Sequence, residues 1–560
     1  MTSINPKKYF IHWIERFSQS WLETWLDRLA WLFILLFLIS GVLNLPRYGL
    51  SWDEGTGAVF FGERYYLYLT SFQEKFLDFR TDLDATSHLP LDLSVSPERN
   101  QPDLYPPLAD TVSSASMHLL AYRLHWMDPV EAFHLPKIIL SALFLWTFYR
   151  FFSKRAGRPV AFLGLLFLGT FPRFYGDMHL NPKDIPEAIF FSWTLMAYVC
   201  WYERPQWRKA LLIGILAAGA LAIKANAVFL PFFILLGVWQ WDLRHPKAWL
   251  KHIIHLRNYF FQYLLMGCAM LLVYYLSWPY IYKNPLRALV YFKLTSSQAG
   301  HTTINAWNWQ PVLQVLTTTP EIMLVFLGLG LAVTLVYAWK KWALVWRLVL
   351  VWFLIPIIRI SLPGMANFDG IRHFLEFLPA AAILAGIGMA QLVSWLGGKD
   401  LKRRLSVTII LVTLLGVNIA EIMVRYYPYE YLYYNHLVGG AFGAEKTFGT
   451  DETGDYWAVS YREGISWLNR HAGSNAKLSV PIASYLVQET RGVWLRPDIE
   501  LLPDKTDFDS LGNDEVYVMF ILRPSFYTSL CQEMLESGEP VYQVMADGLP
   551  VMVIYQYPQK

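Results

Sequence analysis

Cysteine is almost missing from this chain: Cys200, Cys268 and Cys531 are the only three in 560 residues. They are too few and too scattered for a disulfide framework or a zinc site, and two fall inside apolar runs, so we read all three as structural. Charge is scarce too. Asp, Glu, Lys and Arg make up 16% of the residues and the net charge is +3, which carries no nucleic-acid signal. Neither an internal repeat nor a low-complexity tract is visible. The first apolar run is followed by no small-residue cleavage site, so it reads as an uncleaved signal anchor.

What the chain has in quantity is apolar and aromatic side chains, 55% and 17% of the whole, the composition of a polytopic membrane protein. Apolar runs lie near 31–45, 131–152, 159–172, 185–202, 209–223, 226–241, 258–278, 320–338, 342–360, 373–396 and 405–424. These eleven candidate spans meet the positive-inside rule. Basic clusters at Lys154/Arg155/Arg158, Arg204/Arg208/Lys209, Arg244/Lys247/Lys251/Arg257, Lys340/Lys341 and Lys399/Lys402/Arg403/Arg404 fall in every second loop. The alternation requires that Pro106 to Trp126, which holds Asp110, His118, Arg123 and His125, does not cross. Residues 1–30 then form a cytosolic interfacial helix, with Tyr9, Trp13, Phe17, Trp21 and Trp25 spaced four apart. A helix packed on the protein's own cytosolic face fits that spacing equally well.

The expected fold is therefore mainly α: a membrane bundle over 31–424 and a soluble α/β domain over 425–560 on the periplasmic side. Loops 46–130 and 279–319 are long for connections between spans, and long loops are commonly functional. In the last domain, strands are expected at Lys477 to Ile482, Glu515 to Leu522, Val541 to Met545 and Val551 to Tyr557. The last two join across Asp547-Gly548, and Phe526 to Glu536 reads as a helix.

Chemistry concentrates in two stretches, SWDEG at 51–55 and RFYGDMHLNPKDIPE at 173–187. We read them as meeting on one membrane face to form a reaction centre. Asp53 and Glu54 follow the first span, where an acid at the membrane surface can act as general base on a hydroxyl. Ser51 with Glu54 also spells a capping box. Asp184, Pro186 and Glu187 suit a helix start as well as a second acidic site. Arg173 and Lys183 beside a helix N-terminus make an anion site, for a donor phosphate or for a lipid headgroup. Arg372 adds a third cation, with headgroup contact as its other reading. Lys224 is either buried and paired or at the outer surface. His179, His301 and His373 lack the spacing of a helical metal site.

The order of pieces resembles the GT-C glycosyltransferases, specifically glycosyltransferase family 39, which includes protein O-mannosyltransferases and the lipid A aminoarabinose transferase. Asp53-Glu54 matches the family's Asp-Glu motif, Tyr105-Pro106-Pro107-Leu108 its His-Pro-Pro-Leu-like motif, and Asp184 its second acid. Tyr105 and Ala109-Asp110 depart from the family pattern, so Lys183 takes the place of the phosphate ligand expected there. The resemblance implies a polyprenyl-phosphate sugar donor, inverting transfer to a glycolipid, glycan or protein hydroxyl, and an active site on the periplasmic face of a bacterial inner membrane. It makes Asp53 the base, with Glu54 and Asp184 beside it and Lys183, Arg173 and Arg372 on the donor phosphate. A shared magnesium or manganese ion at Asp53, Asp177 and Asp184 is an open option, since oxygen-only sites have no firm spacing rule. The other readings are a transporter or flippase of a lipid-linked anion and an inactive scaffold. Ionisable residues crowded at one face, rather than at mid-span, favour the enzyme.

Overall fold

Backbone polar groups have no water to bond in a bilayer, so apolar runs of this length fold as helices. The computed structural model describes residues 20–81, 90–104, 106–238, 250–298, 306–338, 344–365, 367–504, 506, 508–511 and 514–557. The first half holds α1 Ser20–Asn44, α2 Val59–Ser71, α3 Leu108–Met117, α4 Pro129–Ala156, α5 Arg158–Gly169, α6 Pro172–Leu180, α7 Asp184–Glu203 and α8 Trp207–Leu221. Then follow α9 Leu230–Val238, α10 Leu250–Asn258, α11 Phe260–Ser277, α12 Arg287–Gln298, α13 Gln310–Thr318 and α14 Glu321–Ala338. The bundle closes with α15 Leu344–Ser361, α16 Leu378–Gly397 and α17 Leu401–Tyr426.

Six helices among the described residues are long and apolar enough to cross a membrane, and seven if the bent pair α13–α14 counts as one span. The run expected as a single helix over 320–338 is preceded by this 118° bend at Thr319-Pro320, where proline ends helical hydrogen bonding. The proposed interfacial helix over 1–30 lies outside the described residues up to position 19, and α1 then runs unbroken past residue 30. The stretch read as non-crossing forms α3 and a π-turn, His118–Arg123, and is not among the crossing candidates. His118 there bonds the buried Glu63 carboxylate of α2 at 2.7 Å.

The helix at the centre of the bundle is α16, 83% buried over its apolar window. Without a hydrophobic drive between helices in lipid, close backbone approach holds them together, and this needs small residues. A Cβ at Gly388 would stand 2.0 Å from the Phe326 carbonyl oxygen of α14, and one at Gly330 would stand 1.8 Å from that of Leu384. By contrast α17 is 11% buried, so it presents nearly its whole surface to lipid.

The chain after α17 adds α18 Gly440–Phe448, α19 Tyr461–His471, α20 Ser484–Trp494 and α21 Ser529–Ser537. Its sheet has β1 Lys477–Ser479, β2 Glu500–Leu501, β3 Val516–Ile521, β4 Tyr542–Ala546 and β5 Leu549–Tyr557, in the order β2-β1-β3-β5-β4. The pairs β1–β2 and β1–β3 are parallel, whereas β5 is antiparallel to both its neighbours. The β4–β5 hairpin turns at Asp547-Gly548, both at positive φ, 49° and 76°, as a tight two-residue turn demands. Asp547 fastens this hairpin to the end of α17, its carboxylate accepting from the Arg425 guanidinium at 2.7 Å and from the Tyr426 hydroxyl at 2.9 Å.

A second fastening holds the loop before α16. The carboxyl of Glu452 accepts the backbone N–H of Asp369 at 3.2 Å and of Gly370 at 3.0 Å. Burial, reinforced by the Asp369 charge, pushes Glu452 from 4.5 up to about 7. Between those values the folded chain keeps a proton that the unfolded chain has lost, so this contribution is full below about 4.5 and declines as pH rises through 7.

Two outcomes are expected. Replacing Gly388 by valine forces α16 off α14 and lowers stability by about 3 kcal/mol, read as a lower unfolding temperature in lipid nanodiscs. Glu452→Gln cannot ionise, so its unfolding temperature should fall less than that of wild type as pH is raised across this window.

Candidate active site

The first span delivers SWDEG to a π-turn, Glu54–Ala58, at its exit. Consecutive residues on a helical turn point about 100° apart, so Asp53 and Glu54 cannot face the same way. Glu54 faces inward and is fully buried. Its carboxylate binds the Lys137 ammonium and His134 Nε2, the latter at 2.9 Å, and accepts the Ser51 N–H at 2.9 Å. The capping box read from Ser51 and Glu54 is therefore half formed. Burial alone raises a carboxyl, but here the charges and hydrogen bonds of His134 and Lys137 outweigh it and bring Glu54 to about 2.

Asp53 faces outward, its side chain 31% exposed. Arg372 Nη1 donates to its Oδ2 at 3.0 Å, and Arg372 Nη2 reaches Asp369 Oδ2 at 2.8 Å. The guanidinium is laid over the Trp457 ring at 4.6 Å. Trp457 in turn accepts the Trp52 backbone N–H on its carbonyl at 2.8 Å, fixing the residue before Asp53. Burial pushes Asp369 above its ordinary value, and the charges of Arg372 and Arg523 oppose that shift.

The two stretches singled out in the sequence do meet: the Ser51 hydroxyl donates to the Leu180 carbonyl at 2.9 Å. Asn181, rather than Asp184, caps α7, its Oδ1 accepting the N–H of Lys183 at 3.1 Å and of Asp184 at 2.8 Å. Asp184 is buried, paired with Lys224 and bonded by the Asn181 amide at 2.8 Å. Lys224 thus takes the paired one of its two sequence readings. Arg372 lies close enough to Asp184 for their charges to act on each other. Lys183 is half-buried and electrostatically coupled to Asp110. Tyr105, beside the Pro-Pro-Leu stretch, lies outside the described residues.

Arg173 takes a different place from an open phosphate ligand. It is buried, donates to the Tyr433 carbonyl at 3.3 Å and the Tyr456 hydroxyl at 3.4 Å, and lies over Tyr434 at 4.9 Å. Its guanidinium packs against Gly370, whose φ of 70° and lack of a side chain admit it. Asp177 is buried with Oδ1 unpartnered, and burial, opposed by Arg173, pushes it to about 8. Among the described residues no three His, Cys, Asp or Glu side chains are placed to share a metal ion. Asp53, Asp177 and Asp184 are not gathered into such a group.

Several contributors lay outside the sequence reading. His134 and Lys137 are ionisable residues at i and i+3 inside an apolar run, a signal in itself. Arg523, Tyr485 and Glu489 reach the site from the C-terminal domain with no local signal at all. The Tyr485 ring meets Trp52 edge-on at 6.2 Å. Glu489 is fully buried with both oxygens unpartnered, 3.3 Å from where a Cβ on Gly55 would stand.

Residues 106–259 match the family model described as dolichyl-phosphate-mannose-protein mannosyltransferase. The matched segment contains Pro106, Pro107, Leu108 and Asp184 and stops short of Asp53. No curated protein sequence gives a significant match. ArnT from Cupriavidus metallidurans, solved with undecaprenyl phosphate, aligns at 14% identity and a TM-score of 0.50 over 93% of this chain and 97% of that one. An oligosaccharyltransferase from Archaeoglobus fulgidus aligns at 10% identity and a TM-score of 0.41 over 87% of this chain and 69% of its own. As the resemblance led us to expect, the chain is a multi-pass membrane protein with an ArnT-like fold, and over residues 106–259 it is similar to the dolichyl-phosphate-mannose-protein mannosyltransferase family.

Proposed function

We propose that the protein transfers a sugar from a polyprenyl-phosphate donor to an acceptor hydroxyl, with inversion, at the periplasmic face of a bacterial inner membrane. The observation that carries this reading is Asp53, the one member of its acidic pair open to solvent, held beside Arg372 where the loops of the membrane core gather. Asp53 takes the proton of the acceptor hydroxyl as that oxygen bonds to the anomeric carbon. The bond from that carbon to the phosphate oxygen breaks, and polyprenyl phosphate leaves as an anion. A phosphate is already a good leaving group, so cations suffice to receive it. Arg372 has Nε buried and without a partner among the described atoms, a spare donor for that anion. Lys183 is the second phosphate ligand in this reading, and Arg173 holds the Gly370 turn behind them. Asp184, clamped by Lys224, orients the start of α7. The acceptor is a glycolipid, glycan or protein, and the polyprenyl tail stays in the surrounding lipid.

The test is donor turnover by protein in nanodiscs, offered a panel of polyprenyl-phosphate sugars with membrane extract as acceptor source, following release of polyprenyl phosphate. Asp53→Asn should lower kcat by about 10²-fold or more, and a chelator arm reads out any need for a divalent cation. Equal release by Asp53→Asn sinks the base assignment and returns weight to a transporter. Glu54→Gln should act through the fold instead: leaving Lys137 buried without its counter-charge costs about 3–5 kcal/mol, seen as a lower unfolding temperature.

A further inference from the structure

Arg372 is the end of a longer row. Its second nitrogen meets Asp369, and the other oxygen of Asp369, Oδ1, accepts from Arg523 Nη2 at 3.0 Å. Arg523 belongs to the C-terminal domain, two residues past β3, and lies 154 positions from Asp369. Its side chain is 15% exposed. Nη1 donates to the Tyr456 carbonyl at 3.0 Å, and the guanidinium covers Trp52, the neighbour of Asp53, at 5.3 Å and Phe526 at 4.9 Å. The chain Arg523, Asp369, Arg372, Asp53 thus alternates in sign and has no net charge. It begins in the C-terminal domain and ends at the partly exposed Asp53.

We propose that Arg523 is a positioning residue of the C-terminal domain, acting through Asp369 and Arg372 to set the orientation and basicity of Asp53. This rests on the reading of Asp53 as the base. Asp369 shared between two guanidiniums is a fixed anchor, and it divides the Arg372 fork so that one nitrogen alone reaches Asp53. Arg372 and Arg523 together favour the charged form of the buried Asp369 carboxylate. Without Arg523, Asp369 takes up a proton, Arg372 turns wholly to Asp53, and Asp53 becomes a weaker base. The charged or titratable groups facing Asp53 are Arg372, Tyr485, Asp110 and Asp369. Those facing Asp369 are Arg372, Arg523, Asp53, Glu452, Asp184, Tyr434 and Tyr456. Among the described residues, Arg523 is the one that forms an ion pair with Asp369 from the C-terminal domain.

The experiment measures donor turnover against pH for full-length wild type, Arg523→Gln, Arg523→Lys, Asp369→Asn, the Arg523→Gln/Asp369→Asn double variant and Asp53→Asn, all in nanodiscs, with unfolding temperatures alongside. Arg523→Gln and Asp369→Asn should each lower kcat about tenfold with little change in donor KM, and each should move the acid limb of kcat to lower pH. The double variant should be no slower than the slower single, as expected for residues acting as one unit. Arg523→Lys, which keeps the charge, should recover part of the loss. Wild-type kcat in Arg523→Gln, losses that multiply in the double variant, or an unmoved acid limb would overturn the proposal while a dead Asp53→Asn leaves the base reading intact. Full turnover by Asp53→Asn would overturn both.

Discussion

The bond from Glu54 to Lys137 and His134 decides how the reaction centre is laid out. A carboxylate and an ammonium inside a bundle of apolar helices are tolerable only together, so α4 and the turn after α1 are locked in register by that pair. Once Glu54 is drawn inward, its neighbour on the turn is left facing outward, and the acid that meets solvent is Asp53. The same rule repeats one layer further: Asp184 is matched by Lys224, Glu376 by Arg359 at 3.3 Å, and Asp369 by two guanidiniums. Apart from Asp369 with its near neighbour Arg372, these pairs join separate segments of the chain, and together they set where the loops gather.

The soluble domain is part of this arrangement rather than an appendage. Backbone contact between Trp52 and Trp457, the Glu452 carboxyl under the Asp369 turn, and Arg523 at the far side of Asp369 all come from beyond residue 450. The loop carrying Arg372 is therefore shaped by partners on both sides: α15 and α16 set its ends, and the C-terminal segment sets its middle. Gly370 completes the fit by admitting the buried Arg173 guanidinium where any side chain would exclude it.

Much of this was legible in the sequence because short-range chemistry encodes it. Apolar run length announces helices, Asp547-Gly548 announces its hairpin, and polar residues in 106–126 mark a segment that is not among the helices long and apolar enough to cross. The acid pair and the second stretch at 173–187 were recognisable as chemistry, and they do come together. The assignment of faces was not readable: nothing local separates a solvent-facing Asp53 from a buried Glu54, or marks Arg173 as an interior packing residue. Arg523 was invisible for the same reason, since a lone arginine after a strand looks like any solvated charge until a partner 154 residues away is brought to it. The two-residue strand β2 is too short to have a period.

The helix that carries the soluble domain has almost no protein around it. With 11% of its apolar window buried, α17 is a post standing in lipid, gripped at its end by the Arg425 and Asp547 pair. Most of its apolar surface is left for acyl chains to cover, so the bilayer is in effect a missing wall of the protein. Thickness and lateral pressure of the surrounding lipid become determinants of how the far end of the molecule sits over the membrane core. Extraction into detergent replaces that wall with a softer one.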